Sequence, residues 1–229
     1  MLNLVLVEAA LETVPRVILG HPSVRRNARR RRKIPQETLL DRSLHHSAME
    51  RLPDSHKRGR PDIVHICLLE ALGTPLNAEG GLRIWVHTYG GYAIEVSPKA
   101  RLPRDRGRFD SLVGQLFSEG RVPPGAESPL MALDQKDMGA LLREMEPVYK
   151  IALTSRGEPS TLEEVCDDLV TKGDSAVLVG AFPHGPMRDE TLSLVDRAVS
   201  VHPTALETWV VTSRLIYEYE RRLAKSLTS

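Results

Sequence analysis

Three arginines recur at short intervals near the middle of this chain, Arg101, Arg104 and Arg108, and a fourth, Arg60, stands directly before the apolar run Pro61-Asp-Ile-Val-His-Ile-Cys67. A guanidinium group is a planar fork of donors that grips phosphate through two parallel hydrogen bonds and stacks on an extruded base. Grouped in this way, such side chains suit one folded nucleic acid that offers several phosphates at once. Arginines at this spacing also occur as a solvated face paired with nearby acids, here Asp105 and Asp110. Arg106 falls inside the cluster as either a further contact or a spacer. Asp62 has two readings as well: a group that orients a base or accepts its proton, or a cap for a helix starting at Ile63 that holds an arginine in place. The structural role is preferred.

A second set of candidates carries no charge. Val179-Gly-Ala-Phe-Pro-His-Gly185 follows an apolar stretch, and its two glycines let the backbone come close to a ligand whose neutral adenine edge can be read by amide and carbonyl groups. The dinucleotide fingerprint G-x-G-x-x-G is missing, and so is G-x-x-x-x-G-K-[ST]. An ordinary strand-to-helix turn has the same appearance. In Val201-His-Pro-Thr-Ala-Leu206, Pro203 stiffens a loop before a helix that Thr204 is placed to cap, and a plain helix entry fits equally well. A third, generic loop begins near Leu153 and Thr154.

Other chemistries find little support. His45 and His46 are adjacent and share no helical face, and His65, His87, His184 and His202 are scattered. Neither H-E-x-x-H nor paired C-x-x-C occurs, which argues against a metal. Cys67 and Cys166 lie far apart in apolar segments, which points to two small buried hydrophobes in a reduced, cytoplasmic setting. No apolar run approaches the roughly 20 residues that cross a bilayer, so no membrane is expected as a partner, and the first residues lack the features of a signal peptide. The net charge of +1 conceals a segregation: Arg25, Arg26, Arg29, Arg30, Arg31, Arg32 and Lys33 crowd into 25–33, in a chain with 31 basic and 30 acidic side chains. That implies a polyanionic partner met by one face. Aromatic content of 4% argues against a sheet of stacking rings.

These groups need a scaffold, and 229 residues with 41% hydrophobic content can supply one as a single domain over 1–229. Residues 2–7 read as a first strand. Pro15, Gly20 and Pro22 break any periodic element, and 22–37 is expected to be a basic loop, mobile without its ligand because like charges repel. Leu39, Leu40, Leu44 and Met49 give a helical period over 38–52. A loop over 53–61 leads into a helix over 63–72 ended by Gly73. Strands over 82–88 and 93–96 flank Tyr89-Gly-Gly-Tyr92 and mark an inserted β-hairpin region at 80–100. Helices over 109–117 and 135–145 surround a loop at 122–127. The last third alternates strand 149–153, helix 161–170, strand 176–182, helix 190–198, strand 199–201 and helix 206–223. This alternation predicts an α/β fold, a mostly parallel sheet with helices on both faces, whose ligands collect beyond the strands' carboxyl ends at 154–160, 183–187 and 202–205.

Taken together, the Arg60 segment, the three central arginines, Val179 to Gly185, Val199-Ser-Val-His-Pro203 and Ala205-Leu-Glu-Thr-Trp209 resemble the small-subunit ribosomal RNA pseudouridine N1-methyltransferase family of the SPOUT superfamily over most of the chain. The resemblance implies a C-terminal trefoil knot, an inserted α/β subdomain, and S-adenosylmethionine held in three knot loops and released as S-adenosylhomocysteine. It implies cofactor contacts at Leu153, Thr154, Gly180, Gly185, Val201, His202, Pro203, Thr204, Ala205 and Leu206. RNA contacts are implied at Arg60, Asp62, Arg101, Arg104 and Arg108. The implied reaction methylates ring nitrogen 1 of a pseudouridine in a small-subunit rRNA hairpin during ribosome biogenesis, where small-subunit ribosomal proteins are further candidate partners. A homodimer is implied too, to which the stripe Trp209, Val210, Leu215, Ile216 and Tyr219 contributes unless core packing claims it. The rival is a non-catalytic rRNA-binding assembly factor on the same fold.

Overall fold

The first strand feeds two cores at once. In the computed structural model, in which residues 1–226 are described, β1 (Leu2–Ala9) sends Leu2, Leu4 and Leu6 to one face and Val5 and Val7 to the other, as the two-residue period of a strand requires.

A 3-10 turn at Arg16–Ile18 leads into α1 (Pro22–Arg31), so the basic segment expected as a loop over 22–37 is mostly helical and closes in a second 3-10 turn, Pro35–Glu37. The His21 ring accepts the Ser23 N–H, Pro22 takes the first helical position, and Val24 packs with Ala48 and Met49 of α2 (Arg42–Met49). Repulsion loses because arginine is a good helix former, its long side chain keeps its charge in water, and Arg29, Arg30 and Arg31 complement the negative end of the helix dipole. α2 is shorter than the expected 38–52, starting only after Asp41, whose carboxylate accepts the Ser43 N–H.

α3 (Pro61–Leu72) and the single turn α4 (Pro75–Ala78) precede β2 (Leu82–Thr88) and β3 (Tyr92–Val96). The hairpin expected at 80–100 is present, and it extends the central sheet instead of standing apart, because β2 lies parallel to β1 over nearly its whole length. Then come α5 (Arg106–Glu119), β4 (Arg121–Val122), β5 (Met131–Gln135) and α6 (Met138–Met145). The helix expected from 135 begins later because 131–135 pairs with β3, and Asp137 caps α6 by accepting the Ala140 N–H.

The chain closes with β6 (Tyr149–Pro159), α7 (Leu162–Lys172), β7 (Ser175–Gly180), the one-turn α8 (Asp189–Leu192), β8 (Arg197–Ser200) and α9 (Thr208–Ser226). Two expectations change here. The loop expected at 154–160 is the second half of β6, which meets β8 again through Glu158 and Pro159 after a register shift. A Cβ on Gly157 would sit 2.4 Å from the backbone of Val199, so glycine alone allows this approach. The helix expected over 190–198 shrinks to α8, because 197–200 satisfies its backbone as a sheet edge and buries Val199 completely.

The single sheet runs β4-β5-β3-β2-β1-β7-β6-β8. It is parallel from β2 to β8 and antiparallel at the other edge. One core lies under α3, α5, α7 and α9, and a smaller one lies on the opposite face under α6. Leu215, Ile216 and Tyr219 of α9 belong to the larger core, each at 3% exposure or less, with Trp209 packed against it. The stripe considered for a subunit interface is therefore mostly core, where each aliphatic side chain contributes about 1.5–3 kcal/mol. Among the described residues, no helix is long and apolar enough to cross a membrane.

Candidate active site

β7 ends beside the middle of β6, and that part of β6 with the segments after β7 and β8 encloses a cavity of ≈ 260 Å³. Leu153 and Thr154 enter from β6, Gly180 and Gly185 from the segment after β7, and Val201, His202, Thr204, Ala205 and Leu206 from the segment after β8. Pro203 alone of the ten nominated positions is not part of the lining. Thr204 does not cap α9, which starts four residues later; its N–H and hydroxyl turn back to the His202 ring at 3.2 and 3.1 Å. Thr208, which sequence reasoning missed, donates its hydroxyl to the Gly180 carbonyl at 2.8 Å and so ties the last segment to the second.

The cavity wall contains no lysine, arginine, aspartate or glutamate. Its polar groups are backbone, hydroxyls and the rings of His184 and His202, with Phe182 as the aromatic surface. A Cβ on Gly180 would meet the Phe182 ring at 2.8 Å, and Gly185 holds φ at +93°, so both glycines are needed for this shape. Phe182 sat inside the sequence block already quoted, but its role as a wall depends on the fold. The arrangement fits an adenosyl group: an apolar slot of the right chemistry, edged by main-chain donors and acceptors.

Behind the cavity lies a buried charge pair that sequence reasoning did not find. Lys57 Nζ is 2.6 Å from Glu8 Oε2 and donates also to the Pro186 carbonyl at 2.5 Å, while lying 4.3 Å from the centre of the Phe182 ring. Glu8 Oε1 accepts the Arg188 N–H and the Thr191 hydroxyl, at 2.7 and 3.0 Å. Residues 49 apart in sequence thus fix 182–191 against the end of β1, where Glu8 itself adopts φ of +50°. No spacing rule signals such a pair.

The arginine face adjoins this cavity. The Arg60 N–H donates to Ala10, and the Ala10 N–H donates to Ala181, the residue after Gly180. The Arg60 guanidinium chelates Asp62 through contacts of 2.7–3.0 Å, a bond that raises the arginine pKa with help from Glu207 and Asp41. Burial opposes ionisation of Asp62, yet the hydrogen bonds and charge of Arg60, together with Arg106, outweigh it and hold the carboxyl below its ordinary value. Asp62 therefore stays ionised and holds an arginine. It does not cap α3: the capping position is Arg60, without a side-chain hydrogen bond, and Asp62 stands in the first turn.

Arg106 is engaged within the protein. It bridges Asp41 at 3.0 Å and Asp110 at 2.6 Å and approaches Asp62 at 3.8 Å, while Arg31 of α1 takes the other oxygen of Asp110 at 3.0 Å. Asp105 caps α5 by accepting the Arg108 N–H. With both acids occupied, the side chains of Arg101, Arg104 and Arg108 are exposed and have no ion partner among the described residues. Cys67 and Cys166 are buried, and burial pushes each thiol up to about 12.

Residues 4–220 match the family described as EMG1/NEP1 methyltransferase. The ribosomal RNA small subunit methyltransferase Nep1 of Staphylothermus marinus is 44% identical, over 94% of this chain and 93% of its own. The protein of the same name from Thermococcus kodakarensis is 40% identical, over 97% of this chain and 99% of its own. The crystal structure of Archaeoglobus fulgidus Nep1 bound to S-adenosylhomocysteine matches with a TM-score of 0.86 at 39% identity, covering 97% of this chain and 98% of that one. With sequence and backbone agreeing over almost the full length, the chain belongs to the EMG1/NEP1 methyltransferase family.

Proposed function

We propose that this protein is an S-adenosylmethionine-dependent rRNA methyltransferase that modifies ring nitrogen 1 of a pseudouridine in a hairpin of small-subunit rRNA, working as a homodimer with a trefoil knot around the cofactor. The observation that carries the reading is the uncharged cavity formed by the middle of β6 and the segments after β7 and β8, set one hydrogen-bonded relay from Arg60. The relatives' names and the S-adenosylhomocysteine in the Archaeoglobus fulgidus protein support the same donor and the same class of acceptor.

When bound, S-adenosylmethionine supplies an electrophilic methyl on sulfur. Leu153, Thr154, Gly180, Gly185 and the 201–206 segment, with Phe182, hold it largely through backbone groups and exclude water from its apolar side. Arg101, Arg104 and Arg108 bind phosphates, and Arg60, braced by Asp62, presents the flipped base. Positioning supplies most of the acceleration, since the step needs only an in-line nucleophile. No carboxylate lines the cavity, so the proton on ring nitrogen 1 passes to water or to a carboxylate outside the cavity wall.

Two hairpins that differ only in pseudouridine against uridine, incubated with the protein and labelled donor, test the reading. Label appearing only in the pseudouridine hairpin is the expected result. Equal labelling of both removes the base specificity, and tight binding of both without any transfer selects the assembly-factor alternative.

A further inference from the structure

Four outward arginines of the first long helix, and Arg32 at its C-cap, have no task in the reaction above. Arg25, Arg26, Arg29, Arg30 and Arg32 are exposed and make no ion pair among the described residues, and α1 contains no acidic side chain. By contrast, Arg222 of α9 pairs with Glu163, Asp167 and Glu218. Like charges four residues apart, as at Arg25 and Arg29 or Arg26 and Arg30, repel one another on a helix. A helix that keeps four of them unpaired, with a fifth at its C-cap, has a field to offer a polyanion.

That field is held rigidly. Val24 packs against Ala48 and Met49 of α2, Ala28 is buried, and Asn27 meets His45 at 3.0 Å. Arg31, the one arginine of the helix turned inward, bonds Asp110, which Arg106 in turn links to Asp41 and Asp62. One ion-pair chain thus connects α1 to the arginine that stands beside the cavity, with Arg108 on the intervening helix α5.

We infer that α1 is a second nucleic-acid contact, which grips the phosphates of the duplex stem flanking the target loop without reading its sequence. This rests on the proposed rRNA substrate. Arg25 to Arg32 spans about 10 Å along a helix axis. A duplex carries one phosphate charge per roughly 1.7 Å of axis, about six over that length, whereas a single strand carries about half as many. Five guanidinium charges match the duplex. The helix has no aromatic side chain on which an unpaired base could stack, and its arginines address phosphate rather than base edges.

The test uses the full chain with Arg25→Ala, Arg26→Ala, Arg29→Ala and Arg30→Ala together, substitutions that favour the helix and leave Arg31 in its network. Two hairpins share one pseudouridine loop, one on a long stem and one on a minimal stem. The expected result is an affinity loss of about tenfold or more for the long stem, a salt slope shallower by about 3, and a loss of less than about twofold for the minimal stem. Affinity for S-adenosylhomocysteine stays at the wild-type value, which reports an intact fold. Lysine at the same four positions restores most of the long-stem affinity. Unchanged binding of both hairpins overturns the inference and assigns α1 to a different acidic partner; equal loss on both overturns it as well, since the stem then plays no special part. A wild-type protein that binds neither hairpin and transfers no methyl overturns the rRNA reading itself, a result distinct from either of these.

Discussion

The cofactor cavity and the arginine face lie side by side and are built on opposite principles. The cavity has no charged side chain in its wall and is shaped by backbone, two glycines and one aromatic ring. The arginine face is all side chain and charge, with one inner set locked into ion pairs and one outer set left free. An uncharged, shape-defined group such as adenosyl is best recognised by a fixed main chain, because main-chain groups lose no rotamer freedom on binding. A phosphate backbone is best met by long charged side chains that tolerate variation in its path. Between the two stands the Lys57–Glu8 pair, a charge placed in an apolar setting, and it makes the contrast testable.

The largest effect is expected there. Lys57→Met leaves the buried Glu8 with only the Arg188 guanidinium, 4.0 Å away, as counter-charge, a change that costs up to about 3 kcal/mol. Calorimetry should show a lower melting temperature and weaker S-adenosylhomocysteine binding, because 182–191 loses its anchor. RNA affinity measured below the melting temperature should change little; equal loss of both ligands would mean that the two regions are not separate.

Arg101→Ala with Arg104→Ala comes next. Titration against a target hairpin should show a loss of about one to two orders of magnitude and a salt slope shallower by about 2, with cofactor affinity near the wild-type value. A cofactor defect in this variant would join what the structure separates.

Asp62→Asn removes the brace of a partly exposed arginine, so its stability cost is about 1 kcal/mol or less. Single-turnover methyl transfer at saturating RNA should fall by less than about tenfold, the mark of a positioning residue. Loss of a general base removes about 10²–10⁴ in rate, and a fall of that size would make Asp62 a proton acceptor.

The smallest effect concerns pH. Burial lowers the pKa of His45, ahead of the opposing pull of Asp41, and burial lowers that of His87, ahead of its bond to the Lys136 carbonyl. Between the folded and ordinary values the unfolded chain binds more protons than the folded one, so stability falls as pH drops below about 6.5. His45→Gln should flatten that part of the thermal-stability profile. Arginine charge does not change over this range, so the salt slope of RNA binding should stay constant.

Much of the molecule was legible as local pattern. The strand–helix alternation of the last third, the helix over 63–72 and the glycine-bounded loop after β7 follow from side-chain period and backbone freedom, which neighbouring residues alone settle. The same kind of information placed ligand loops at 154–160, 183–187 and 202–205, while the family resemblance supplied the individual positions, nine of which line the cavity. Where local signals compete, the tertiary structure decided. Residues 131–135 and 197–200 became strands because vacant sheet edges offered their backbones partners, and 25–31 became helix because α2 offered Val24 a place to bury. Asp62 braces Arg60 without capping α3, and Arg106 organises three acids, since both roles depend on which charges the fold brings within 4 Å. The sequence by itself determined which chemistries were on offer; only folding in three dimensions determined which charges were neutralised and which remained free to bind, because electrostatic pairing depends on distance in space and not on distance along the chain.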